Sequence, residues 1–124
     1  MKVKCIRLLN SDKQEVDFSP WLTLEKIYHV MTIFINENKE KSYGIITSHP
    51  RGEWPQFISI PEECFEVVST TIPSNWREWW DGNLYEMSPL AWQAPGFYEA
   101  FSDHDPAVYP IFEREREIIL HEDP

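Results

Sequence analysis

The run Ile27-Tyr28-His29-Val30-Met31-Thr32-Ile33-Phe34-Ile35 sets the fold class of this chain. β-Branched and aromatic residues fill it, and apart from His29 and Thr32 both alternating sets of side chains are apolar. A strand with two apolar faces belongs in the middle of a sheet, covered on both sides. Upstream, Lys2–Leu9 reads as a short strand, followed by the polar loop Asn10–Pro20. Downstream, Asn36–Lys41 is a polar turn without an Asn-Gly pair, which predicts a longer hairpin loop in place of a two-residue turn. Ser42–Ser48 returns as a strand, His49–Pro55 turns, Gln56–Ile60 is a short strand and Phe65–Thr70 closes the series. Five short strands in the first seventy residues make the chain α+β and mainly β.

The punctuation changes near residue 71. Ser88-Pro89 and Asp105-Pro106 each set a capping residue before proline, the pairing expected where a helix begins. From Pro106 onward Val108, Ile111, Phe112, Ile118 and Ile119 recur at helical spacing and leave Glu113, Arg114, Arg116 and Glu117 mostly on the other side. Pro110 lies within this stretch, so the helix is kinked there or starts later. Trp76, Trp79 and Trp80 have i, i+3, i+4 spacing and would share one face of a helical turn. One or two short helices and then a terminal helix to about Leu120 are expected.

A length of 124 residues suits one domain, and 42% hydrophobic with 15% aromatic residues suffices for a packed core. Cys5 and Cys64 each lie in an apolar, strand-like run, so buried free thiols are expected, not a disulfide. Met1–Asn10 lacks the apolar core and cleavage site of a secretion signal, and no stretch approaches the roughly 20 apolar residues that span a bilayer, so the cytoplasm is the expected location. Net charge is −10 and unevenly placed: residues 1–60 hold eight Lys/Arg against seven Asp/Glu, and residues 61–124 hold three against fourteen. Such a field repels nucleic acid and anionic membrane and attracts a basic protein surface.

The segments Leu22-Thr23-Leu24-Glu25-Lys26-Ile27-Tyr28-His29-Val30, Tyr43-Gly44-Ile45-Ile46 and Phe57-Ile58-Ser59-Ile60-Pro61-Glu62-Glu63-Cys64-Phe65-Glu66-Val67-Val68 resemble the small bacterial SH3-like barrels, with Glu25 where those barrels favour glycine. The resemblance spans about residues 22–70 and implies a small five-stranded antiparallel barrel. On it, residues 1–71 form the barrel unit and residues 72–124 an acidic, Trp-rich helical extension packed on it, in one compact unit. In size, charge and texture the whole chain is similar to immunity proteins of bacterial contact-dependent inhibition and other polymorphic toxin systems. That likeness implies a protein that binds and blocks the toxic C-terminal domain of a secreted effector, commonly a nuclease, and carries no catalytic residues.

Sequence signals for chemistry are sparse. His29, His49, His104 and His121 form no metal-ligand spacing with Cys5 and Cys64, and Gly44, Gly52, Gly82 and Gly96 are too scattered for a phosphate loop, so no metal or cofactor is expected. His29 reads as a satisfied core or barrel-edge histidine. Asp103-His104-Asp105 is the densest polar constellation and the one place where general acid–base hydrolysis would be sought, yet an aspartate directly before Pro106 has a capping role. None of Ser69, Ser74, Ser88 or Ser102 has the setting of a nucleophile elbow. A non-catalytic binding protein is therefore expected. Its partner-binding face is assigned to the carboxylates Glu78, Asp81, Glu86, Glu99, Asp103, Asp105, Glu113 and Glu117, with Trp79, Trp80 and Tyr98 as aromatic anchors, since interface hot spots are rich in Trp and Tyr. The alternative is an SH3-like adaptor or accessory subunit that takes a peptide in an aromatic groove built from Tyr28, Tyr43 or Trp54.

Overall fold

The predicted central strand divides at Val30-Met31 and serves two sheets. In the computed structural model, which describes Met1–Pro124, its first half is β2 (Ile27–His29) and its second β3 (Thr32–Ile35). With β1 (Lys2–Cys5), β4 (Lys41–Ser48), β5 (Gln56–Pro61), β6 (Phe65–Ser69), β7 (Trp76–Asp81) and β8 (Leu84–Pro89) they make a three-stranded sheet of order β2-β1-β6 and a five-stranded sheet of order β5-β4-β3-β8-β7. Every neighbouring pair is antiparallel. At the junction the Val30 N–H donates to the Met1 carbonyl and the Met31 N–H to the Gly44 carbonyl, so the corner is bonded into both sheets. The chain is α+β and mainly β, as the sequence predicts.

The hairpin loop Asn36–Glu40 between β3 and β4 has the expected length: the Asn36 side-chain oxygen accepts the N–H groups of Asn38 and Glu40, and Lys39 takes φ 62° to close it. β1 is shorter than predicted and ends at Cys5, after which the chain leaves the ladder for the polar loop.

The extension departs from expectation. Residues predicted as a helical turn of tryptophans form a β-hairpin, β7–β8, that pairs with β3 and widens the five-stranded sheet. Asp81 pairs with Leu84 across the two-residue loop Gly82-Asn83, where Gly82 has φ 60°, so glycine stands at the first central position as a type II′ turn requires. Ser88 caps no helix; it is buried at the end of β8, and Pro89 leads into a 3₁₀ turn, Leu90–Gln93. Helices follow at α1 (Phe97–Ser102) and α2 (Tyr109–Glu122). Asp105 does not cap a helix as predicted: α2 has Val108 at its N-cap with no side-chain hydrogen bond, and the Asp105 carboxylate accepts the Ala107 N–H in the turn before it. Pro110 falls in the first turn of α2, where no hydrogen bond is lost, so the helix starts later and is not kinked at this proline.

The five-stranded sheet is covered on both faces. Toward the three-stranded sheet it presents Tyr43, Ile45 and Ile60, packed with Val3, Cys5, Tyr28 and Phe65, and the Tyr43 and Tyr28 rings meet Phe65 edge to face. On the other face Phe57 meets Trp92, Phe101 and Phe112 edge-on, while the Trp92 ring stacks on Phe112 at 4.8 Å. Gly44 makes this aromatic cap possible: a Cβ there would lie 2.1 Å from Thr32 Oγ1 and 2.8 Å from the Phe57 ring. The end of α2 is tied back to β1 and β6. Asp123 takes the Met1 ammonium at 2.9 Å and the Ser69 hydroxyl at 2.6 Å, and its carbonyl oxygen lies 2.6 Å from His29 Nε2, which therefore carries the donated proton. His29 is thus the satisfied histidine the sequence predicts. Cys5 and Cys64 are both buried and free.

Candidate functional site

On strand β7 successive side chains point to opposite faces, so the three neighbouring tryptophans separate. Trp76 is buried, Trp80 is 65% exposed on the same face as Trp76, and Trp79, 39% exposed, looks the other way. This corrects the shared helical face. Trp80 packs its ring edge on Tyr85, and together with Ile33, Ile35 and Met87 it borders a shallow groove beside the β3–β4 loop. Trp79 stands directly opposite Glu86 of β8, which in turn faces Phe34 of β3, so one row of the sheet reads Phe34, Glu86, Trp79.

Glu86 is the unusual member of this row. Its side chain is buried, at 8% exposure, on the face covered by the helices. One carboxylate oxygen, Oε2, accepts the Tyr98 hydroxyl at 3.0 Å and also the Ser88 hydroxyl. Burial, reinforced by the charge of Glu86, pushes the Tyr98 hydroxyl far above its ordinary range, which keeps it protonated and donating. Gln93 completes the network by donating to the Ser88 carbonyl and hydroxyl and to the Arg77 carbonyl. No lysine, arginine or histidine pairs with Glu86.

A cavity of about 190 Å³ opens beside this carboxylate, walled by Trp79, Trp92, Phe97 and Tyr98, with Glu99 at its edge. Four of the sequence-assigned partner residues, Trp79, Glu86, Tyr98 and Glu99, therefore converge on one place. The others do not join them there. Glu78 and Trp80 face the opposite side of the hairpin, and Asp81 precedes its turn. Asp103 follows α1, and Asp105 holds the turn before α2. Glu113 accepts from Arg116 at 3.1 Å, and Glu117 is 4.0 Å from His121.

The structure also tests the other groupings of residues. The His104 ring stacks on Trp54 at 4.8 Å and makes no side-chain hydrogen bond to Asp103 or Asp105. No group of three His, Cys, Asp or Glu side chains is placed to hold a metal ion. Tyr28 and Tyr43, assigned to an adaptor groove, are buried at 5% and 3% exposure, and Trp54 is packed among Phe101, His104 and Tyr109, so these three do not form an exposed groove. Phe34, Ser88, Gln93 and Phe97 were missed by the sequence reading. The alternation Tyr85-Glu86-Met87-Ser88 after Asp81-Gly82-Asn83 is the hairpin signal that places Glu86 and Ser88 on one face.

No helix is long and apolar enough to cross a membrane. Compared with known proteins, the chain matches no family model, no curated protein sequence and no solved structure.

Proposed function

We propose that this chain is a non-catalytic cytoplasmic binding protein that covers the basic site of a partner protein with its acidic C-terminal half, in the manner of an immunity protein neutralising the nuclease domain of a bacterial toxin. In this reading strands β1 to β6, within residues 1–71, are an SH3-like barrel that serves as scaffold, and the hairpin β7–β8 is added to it. The observation that carries the proposal is the state of the carboxylates. Glu78, Asp81, Glu99 and Asp103 are exposed and engage in no ion pair, within a segment that holds fourteen acidic residues against three basic ones. Surface carboxylates left free of internal partners produce an uncompensated negative field, which speeds the approach of a basic partner and excludes polyanions. A nuclease site is basic because it holds phosphates, so such a face competes with substrate on electrostatic terms.

The test is capture of the partner by the intact chain at low and high salt, followed by purification of that partner and measurement of its activity with and without the chain. A basic partner, held at least ~10-fold more weakly at high salt and inhibited when bound, supports the reading. Reversal of Glu78, Asp81 and Asp103 to lysine should weaken binding by at least ~10-fold in the same assay. Binding that is indifferent both to salt and to this triple reversal would sink the proposal.

A further inference from the structure

Glu86 is a buried carboxylate with no cation beside it. Its Oε2 is occupied by Tyr98 and Ser88, whereas Oε1 receives no hydrogen bond from the protein, and the residue lines the cavity walled by Trp79, Trp92, Phe97 and Tyr98. The only other charged residue of that cavity is Glu99, also an acid. Glu86 borders a second cavity, of about 370 Å³, to which Lys13 and Lys41 contribute. Neither lysine neutralises it: Lys13 is held by Glu40 at 2.8 Å and Glu63 at 3.3 Å, and the Lys41 ammonium lies 5.4 Å above the Tyr43 ring.

Removing a carboxylate from water is expensive unless a charge or several donors compensate it. Two hydroxyl donors satisfy one oxygen here, the other has no donor from the protein, and the residue borders a hollow of side-chain size. Trp92 and Phe97 are stacked against other rings, so the half-exposed Trp79 offers the ring face that attracts a cation there, and the neighbouring carboxylate Glu99 adds to the attraction. An anion would meet two acids, and a neutral apolar group would leave Oε1 unpaired. The complementary ligand is an alkyl-linked cation.

We propose that the Glu86 cavity is a receptor for one basic side chain of the partner, a lysine or arginine whose charged group bonds Glu86 Oε1 while its stem lies against Trp79 and Tyr98. This rests on the reading of the acidic half as a face for a basic protein, and supplies what that reading lacks, a defined anchor in place of diffuse attraction. A single buried anchor of this kind fixes the register of two charged surfaces that would otherwise slide over one another.

Arginine amide, lysine amide and citrulline amide, each acetylated at its α-nitrogen so that the citrulline probe is uncharged, serve as probes, titrated into the intact chain and followed by tryptophan fluorescence and by the chemical shifts of indole N–H groups. Saturable binding of arginine or lysine amide in the millimolar range, with citrulline amide at least ~10-fold weaker, is the expected result; the stronger of the two cations identifies the side chain. Glu86→Gln retains one oxygen able to accept both Tyr98 and Ser88 and should weaken cation binding at least ~10-fold. Trp79→Ala, at a position 39% exposed and outside the buried core, should weaken it about 3-fold and carries the test should the Gln variant fold poorly. Equal binding of citrulline amide, no saturable binding of either cation, or cation binding unaffected by both variants overturns the cavity assignment. A captured basic partner that binds Glu86→Gln and Trp79→Ala as tightly as the parent overturns the anchor while leaving the acidic-face reading intact. Cation binding without any basic partner does the reverse.

Discussion

Gly44 sits in β4 with Thr32 of β3 directly opposite it and the Phe57 ring above, and this contact allows the aromatic cap to close on the sheet. Replacing Gly44 with alanine would put a methyl group 2.1 Å from Thr32 Oγ1 and 2.8 Å from Phe57 Cζ. Thr32 is fully buried and stiff at χ1, so it has little room to yield. Overpacking of this kind costs ~1–3 kcal/mol, against which the loss of unfolded-state freedom on Gly→Ala returns ~0.4–1 kcal/mol. A net destabilisation of roughly 1–2 kcal/mol is expected for Gly44→Ala. The Thr32 hydroxyl is buried without a hydrogen-bond partner. Thr32→Ala alone removes that orphan group, worth ~1–3 kcal/mol, and forfeits a buried methyl worth ~1 kcal/mol, leaving it within about 1 kcal/mol of the parent or above it. In the Thr32→Ala background the closest obstacle is gone, and Gly44→Ala should then cost at least ~1 kcal/mol less than it does alone. Urea unfolding of the four proteins reads this coupling from the midpoints at constant slope. A Gly44→Ala variant as stable as the parent, or one with the same cost in both backgrounds, would refute the argument that this close approach is what glycine provides.

Trp92 and Trp80 should behave oppositely, since Trp92 is wholly buried against Phe112 and Phe97 while Trp80 is 65% exposed: Trp92→Ala should lose ~3–5 kcal/mol in urea unfolding and Trp80→Ser less than ~1 kcal/mol. Asp123 is partly desolvated, which alone would raise its pKa, but the Ser69 hydroxyl, the Met1 ammonium and Lys2 together hold it below the usual carboxylate range. A lowered folded-state pKa adds stability that is present in full above the ordinary value of 3.8 and lost as pH falls through the folded-state value; Asp123→Asn should therefore lower the urea midpoint at neutral pH and converge with the parent in acid. Burial raises the pKa of both the Cys5 and Cys64 thiols, so an alkylating reagent should modify them in the native protein at the rate of opening, and in urea at the rate of free cysteine.

The acidic half and its tryptophans were visible in the sequence, but their arrangement was not. Three tryptophans at i, i+3, i+4 fit one helical face and fit equally an edge strand that sends Trp76 inward and Trp79 and Trp80 to opposite sides. Which applies depends on whether a distant strand is free to pair, and β3 takes β8 on the edge that β4 leaves open. Glu86 illustrates the same limit. Composition counts it among the surface carboxylates, and only the docking of α1 over the hairpin makes it a buried acceptor for Tyr98. Trp54 is similar, half-buried by a loop and helix some fifty residues away.

By itself the sequence determined what is local. β-Branched and aromatic runs placed β1 to β6 to within a few residues, the polar Asn36–Lys41 segment set a long hairpin loop, the spacing from Val108 to Ile119 set the last helix, and the distribution of charge set the sign of the surface. Each of these follows from side-chain periodicity and turn chemistry over a few residues. The tertiary structure decided where the central strand divides, that the hairpin β7–β8 extends the sheet, which tryptophans are buried, and that Glu86 lies under aromatic rings without a cation. These depend on pairings and burial between segments far apart in the chain, and no window of sequence contains both partners.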